Sequence, residues 1–206
     1  MLIERIPAGK YSANCYVVAD DTTGQAAVID PGGDVDDIME FLRQRQLKLV
    51  AIINTHGHFD HIGGNAKLRA STGAPLMIHA DDAELLEDSR LNLSQMVGDR
   101  LEGPAADRQL HDGDEIVVGA LKLNVIHTPG HTRGCICLRC GDHLFSGDTL
   151  FVGSIGRTDL YGGDSDAIRR SLREKLLPLP DELAVHPGHG PDTVLGDEKA
   201  ANPYLR

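Results

Sequence analysis

Short apolar runs separated by glycine- and aspartate-rich turns dominate the first third of the chain. Residues 2–6, 14–19 and 26–30 each carry the apolar, β-branched character of a strand, and Asp20-Asp21-Thr22-Thr23-Gly24 supplies the turn between the last two. This pattern predicts an antiparallel meander. Asp30-Pro31-Gly32-Gly33 ends it, and Asp34 is the predicted N-cap of a helix whose apolar face is Val35, Ile38, Met39 and Leu42. Residues 49–53 have no polar interruption and predict a core strand. A helix over 61–72, stopped by Gly73, and a strand over 75–78 follow.

From residue 80 to residue 108 the pattern is mixed. A short helix is predicted over 82–86, followed by a segment without a clear period that runs through Gly103-Pro104, and long loops of that kind often lie over a site. Residues 115–127 read as two strands broken at Gly119-Ala120, and 134–138 with 143–145 as a hairpin turned at Gly141-Asp142. Ser165 is the predicted cap of a last amphipathic helix with Ile168, Leu172 and Leu176 on one side, and 183–185 is the last predicted strand. Strands and a helix therefore occur twice, in halves of similar length. Sheets that each bury one face against the other and carry helices outside form an α/β four-layer αββα sandwich, with loops from both halves meeting at one edge. No linker divides the chain, which predicts a single domain over 1–206.

Composition narrows the function. The 206 residues are 41% hydrophobic, enough for a real core. A net charge of -11 disfavours nucleic acid and anionic membrane surfaces, which are bound through clustered lysine and arginine. The N-terminus lacks a basic region followed by an apolar stretch, and no run approaches the ~20 apolar residues that span a bilayer, so the expected location is the cytoplasm. Cys135, Cys137 and Cys140 could bind a soft metal, but the alternation around them favours a buried strand in which cysteine is a small hydrophobe.

The chemistry concentrates where the strand over 49–53 breaks off into Thr55-His56-Gly57-His58-Phe59-Asp60-His61. Imidazole and carboxylate are ligands that zinc, iron and manganese share. Extended backbone sends His56 and His58 the same way, so the pair can hold one ion, while Asp60 and His61 can point towards a second. The bland alternative, a polar loop with surface histidines, fits such a dense cluster poorly. Three further candidates also stand where strands end in glycine-containing loops: His131, Asp148 and His189. His127, His143 and His186 are expected to be strand-end residues, and His79 and His111 surface or loop residues.

With these five segments in order, the chain resembles the metallo-beta-lactamase-fold superfamily. The resemblance implies that His56, His58 and His131 bind one metal and that Asp60, His61 and His189 bind a second. Asp148 would bridge the two, and Asp30 of the Asp-Pro-Gly turn would orient a ligand histidine. Secreted beta-lactamases generally carry cysteine or serine where Asp148 stands, flavodiiron proteins carry glutamate where His58 stands, and nucleic-acid-processing branches need inserted domains and a basic surface. What remains is similar to the short glyoxalase II-like group, whose Gly-Arg-Thr-Asp segment matches residues 156–159, with Gly-Gly-Asp at 162–164. In that group a basic residue at the place of Arg157 reaches the glutathione part of a thioester. Longer glyoxalase II enzymes add a C-terminal helical domain and a tyrosine where Pro191 stands here.

The implied reaction is hydrolysis of a small-molecule thioester such as S-D-lactoylglutathione. Its cofactors are two divalent ions, with zinc the first choice and iron or manganese the alternatives. By that implication a metal-activated hydroxide would attack the carbonyl, and Asp60 and Asp148 would hold the ions and the nucleophile in place. The competing readings are a mononuclear iron glutathione persulfide dioxygenase of the same superfamily and a non-catalytic metal-binding module.

Overall fold

The computed structural model describes residues 1–205. β1 (Leu2–Ala8), β2 (Ala13–Ala19) and β3 (Gln25–Ile29) form the expected antiparallel meander. β4 (Lys48–Ile53), β5 (Leu76–His79) and β6 (Arg108–Leu110) then add in parallel, giving a six-stranded sheet in sequence order. β7 (Glu115–Val118), β8 (Leu121–His127), β9 (Ile136–Cys140) and β10 (His143–Gly147) build the second sheet as successive antiparallel neighbours. After a two-stranded ribbon of β11 (Leu150–Phe151) and β12 (Ser154–Ile155), β13 (Ala184–Pro187) joins β10 in parallel and β14 (Thr193–Val194) forms the edge.

Three apolar clusters make the four layers. Tyr16, Val18, Ile29 and Ile53 of the first sheet meet Ile116, Val125, Leu138 and Phe145 of the second. On the other face of the first sheet, Cys15, Val17, Val28 and Ile52 pack with Val35, Ile38 and Leu42 of α1 (Val35–Gln44) and with Leu68. Leu144 and Val185 pack outward from the second sheet against Ile168, Leu172 and Leu195. β2 is buried along its whole length, because alternate side chains serve two different apolar layers. Cys137 and Cys140 fall into these clusters and all four cysteines are buried and free, so the small-hydrophobe reading of the cysteine segment holds.

Several local expectations are corrected. Asp34 stands at the N-cap position of α1 as expected, but its side chain makes no cap hydrogen bond: its backbone is left-handed, and its carboxylate instead accepts the N–H of Gly9 at 2.8 Å. The helix expected over 61–72 is two, α2 (Phe59–Ile62) and α3 (Asn65–Thr72), because the N–H of Gly64 turns aside to the carbonyl of Pro31 at 2.6 Å. The cap of α4 (Ser165–Ser171) is Asp164, which accepts from the N–H groups of Asp166 and Ala167, and Leu172–Leu176 continues it as a π-turn. The segment between β5 and β6 holds 3-10 turns at Ala80–Leu86 and Ser94–Val97. His79 is buried, not a surface residue, and stacks on His127 with ring centroids 3.9 Å apart. The strand over 183–185 is followed by β14 and by α5 (Leu195–Ala201).

Among the described residues, no helix is long and apolar enough to cross a membrane.

Candidate metal centre

The ends of β4, β8, β10 and β13 converge at one edge of the sandwich and bring seven side chains together. His56, His58 and His131 form one group and Asp60, His61 and His189 a second, each with its ligating atoms within 4.8 Å of one another. The carboxylate of Asp148 lies between them. Its Oδ2 is 3.5 Å from His131 Nε2 and 3.8 Å from His189 Nε2, and its Oδ1 is 3.5 Å from His61 Nε2. Every histidine and aspartate that the sequence offered as a ligand therefore sits in one place. Arg157 differs: its exposed guanidinium is forked onto Asp159 through two contacts of 2.7 Å.

The ring orientations follow from neighbours that can act in only one way. The carbonyl of Arg157 can only accept, so His131 donates from Nδ1 at 2.7 Å and turns Nε2 towards Asp148. Asp30 accepts the N–H of Thr55 at 2.7 Å through Oδ1 and its hydroxyl at 2.6 Å through Oδ2. The same Oδ2 lies 3.1 Å from His61 Nδ1, which fixes that ring with Nε2 facing the site. Thr55, its own proton committed to Asp30, accepts from His56 Nδ1 at 3.2 Å and turns His56 Nε2 towards His58. Asp30 holds this position with φ at 52°, a left-handed backbone that aspartate tolerates better than most residues.

Two donors from the first sheet anchor the last loop. The Nδ2 of Asn14 reaches the carbonyls of Pro187 and Gly190, both at 2.9 Å, and the hydroxyl of Tyr16 donates to Pro187 at 2.8 Å. Gly188 must lack a side chain, since a Cβ there would run into Asp148 Oδ1 and the ring of His61.

Sequence reasoning missed Asp82. This fully buried carboxylate lies in the 3-10 turn after β5 and accepts the N–H of Gly57 at 3.0 Å, the hydroxyl of Thr132 at 2.6 Å and the N–H of Gly134 at 2.7 Å. It thereby ties the His56/His58 loop to the His131 loop. Burial raises its carboxyl above the ordinary range, with the three donors opposing. No signal in the sequence singles it out, because Asp81 and Glu84 stand in the same turn and nothing local says which carboxylate faces inward.

The electrostatics suit cation binding. Burial, together with the surrounding imidazoles, drives His56 well below its ordinary value and His58 down to about 3, so both rings are neutral at physiological pH. Burial would also lower His61, but Asp148, Asp60 and Asp30 outweigh it and push that ring up to about 10. The desolvated Asp60 nonetheless stays ionised, held below the carboxylate range chiefly by His61 and His189. His56 Nε2 stands 3.1 Å from His58 Nδ1, and His61 Nε2 stands 3.2 Å from His189 Nε2. Nitrogen pairs this close need a proton or a cation between them. His131 Nε2 and Asp148 Oδ1 are buried without any hydrogen-bond partner, an arrangement that costs free energy in a bare protein and is natural for metal ligands. The donor set, all imidazole and carboxylate, fits divalent zinc, iron or manganese.

The other histidines lie outside this cluster, His79 and His127 forming with Asp81 a separate group whose ligating atoms come within 4.8 Å of one another. His127 donates to the carbonyl of Arg133 at 2.9 Å, and His143 shares a hydrogen bond of 2.9 Å with His186 across the β10–β13 pair.

Comparison with known proteins agrees with this geometry. The family model of the metallo-beta-lactamase superfamily matches residues 8–189. The chain is 35% identical to the hydroxyacylglutathione hydrolase GloC of Haemophilus influenzae, covering 100% of this chain and 98% of that protein. It superposes on BLEG-1 B3 metallo-beta-lactamase with a TM-score of 0.94 at 39% identity, covering 99% of both chains. It also superposes on TTHA1623 in a di-iron-bound form with a TM-score of 0.88 at 36% identity, over 98% of this chain and 100% of that one. The chain belongs to the metallo-beta-lactamase superfamily.

Proposed function

We propose that this protein is a metal-dependent hydrolase of small-molecule thioesters, with a glutathione thioester such as S-D-lactoylglutathione as the substrate. The observation that carries the reading is Asp148 lying between two three-residue groups, within 3.8 Å of imidazoles from both. A carboxylate in that position suits two ions sharing one ligand. In this reading His56, His58 and His131 would hold one ion and Asp60, His61 and His189 the other, with Asp148 placed to serve both. The di-iron form of TTHA1623 supports a two-ion site, and the kinship with GloC supports the substrate class.

Bound there, two divalent ions would supply Lewis acidity and lower the pKa of a water to about 7, so that a nucleophile exists at neutral pH. The protein's own contribution is orientation. The Arg157 carbonyl aims Nε2 of His131, Asp30 aims His61, and Asp82 keeps the His56/His58 loop in register with the His131 loop. Asp60 is ionised and can hold a water hydrogen but cannot donate one. A thiol of ordinary pKa, about 8.5, leaves as the thiolate, so the chain needs no separate general acid.

The test is to purify the protein without added metal, count its ions and assay S-D-lactoylglutathione. About two ions per chain with thioester hydrolysis support the reading. One iron with oxygen uptake on a persulfide would replace it with the dioxygenase.

A further inference from the structure

A second group of metal-ligating side chains stands apart from the seven at the metal centre. His79 at the end of β5, Asp81 in the 3-10 turn that follows and His127 at the end of β8 bring their ligating atoms within 4.8 Å of one another. Asp81 Oδ2 lies 3.8 Å from His79 Nδ1 and 4.0 Å from His127 Nε2. Two bonds of about 2.1 Å to one ion span at most about 4.2 Å, so both separations fit a shared cation. Asp148 stands at comparable distances, 3.5 and 3.8 Å, from His131 and His189. The carbonyl of Arg133, 2.9 Å from His127 Nε2, adds a fourth donor beside the same nitrogen.

The surroundings leave these atoms to a cation. Asp81 meets no lysine or arginine among the described residues, and its ion-pair neighbours are the two imidazoles. His79 is buried and stacks on His127 with 13° between the ring planes, so a tilt of the half-buried His127 turns both rings onto one point. Burial first, and then His127, take His79 down to about 4, so its ring is neutral at physiological pH and keeps a lone pair. The contacts given up are small. His79 Nδ1 loses the N–H of Asp81 at 3.2 Å, and the proton of His127 Nε2 moves to Nδ1, leaving the Arg133 carbonyl to the ion. Asp81 and His127 line an open cleft of about 660 Å³ with Gly130, Gly162 and Asp164, so an ion can enter from solvent.

We propose that His79, Asp81 and His127, with the Arg133 carbonyl, form a further cation site for copper(II) or nickel(II), separate from the metal centre and independent of the thioester reading. Two nitrogen and two oxygen donors suit the tetragonal geometry of those ions, and copper(II) binds such donors more tightly than zinc does. Zinc has to displace the same internal contacts for less gain, so it saturates the centre first and leaves this site largely unfilled. The position gives the ion a role. Asp82, next to Asp81, accepts from Thr132 and Gly134 on either side of Arg133, so an ion on Asp81 and the Arg133 carbonyl clasps the same two segments from outside.

The experiment titrates copper(II) into the zinc-loaded protein, counts both metals after desalting and records the copper electron paramagnetic resonance spectrum. Wild type should keep its zinc and take up one copper per chain, with splitting from two imidazole nitrogens. Two variants remove ligands at accessible positions: His127→Gln, whose amide can still donate to the Arg133 carbonyl, and Asp81→Asn. Each should keep the zinc content of wild type and weaken copper binding roughly a hundredfold, the upper end of what is lost when a residue that merely supports a ligand is removed. Copper bound only in exchange for zinc, or an unchanged copper affinity in either variant, would overturn the proposal. Neither result bears on thioester hydrolysis, which rests on the ions of the centre.

Discussion

The carboxylate of Asp82 accepts the backbone N–H of Gly57 at 3.0 Å, so a residue in the turn after β5 sets the position of the peptide between His56 and His58. The same carboxylate holds Thr132 and Gly134, which flank the His131 loop on its far side. Two ligand segments distant in sequence are thus registered through one side chain.

Asp82→Asn keeps the shape but turns one acceptor oxygen into a donor facing N–H or O–H groups. Removing such an outer support of metal ligands typically costs ten- to a hundredfold in affinity. Chelator competition should show a loss of that size with the fold retained by circular dichroism. An unchanged affinity would mean that the three hydrogen bonds do not position the ligands.

Gly57 packs so tightly on Leu85 that a Cβ would overlap the Leu85 side chain. Gly57→Ala should therefore cost about 1–3 kcal/mol of stability, as overpacking usually does, and should weaken metal binding, because the loop must move to relieve the contact. Denaturant unfolding of the metal-free and metal-loaded forms measures both effects. A variant as stable and as tight as wild type would contradict the packing described here.

A pH-dependent latch joins the two sheets at the opposite end from the metal centre. Asp20, in the turn after β2, accepts from the N–H of Ala120 at 2.8 Å, the hydroxyl of Thr23 at 2.8 Å and the N–H of Thr22 at 3.0 Å. These donors, Ala120 first, hold its carboxyl at about 2 against an ordinary 3.8. A depressed carboxyl stabilises the fold above its unfolded value and loses that contribution as pH falls through its folded value. Asp20→Asn should therefore lower Tm by roughly 2–4 °C at pH 7, the size expected for hydrogen bonds of this kind in a chain of this length. The difference from wild type should narrow as pH falls from about 4 to 2. A gap that stays constant over that range would show that charge plays no part.

What could be read from the sequence was what local chemistry dictates. His56, His58, Asp60 and His61 announce themselves because four ligand-type side chains crowd one strand end, and His131, Asp148 and His189 because each follows a strand in a glycine-containing loop. The two-sheet sandwich followed from strands and helices recurring twice. Asp82 was illegible because its partners lie 25, 50 and 52 positions away. The caps depended on more than position: Asp34 stands at the start of α1 but its carboxylate is drawn to Gly9 by a tertiary contact, and of the adjacent polar pair Asp164-Ser165 it is Asp164 that takes the cap. The break at Gly63-Gly64 likewise depends on Pro31, from a turn 33 residues earlier than Gly64.

The central claim is that seven side chains from four strand ends hold two ions sharing Asp148. Calorimetric titration of chelator-stripped protein with zinc tests it most directly. The account predicts two saturable equivalents per chain in wild type and at most one in Asp148→Ala. A wild type that takes up no zinc, or an Asp148→Ala variant that still binds two ions as tightly as wild type, would contradict it.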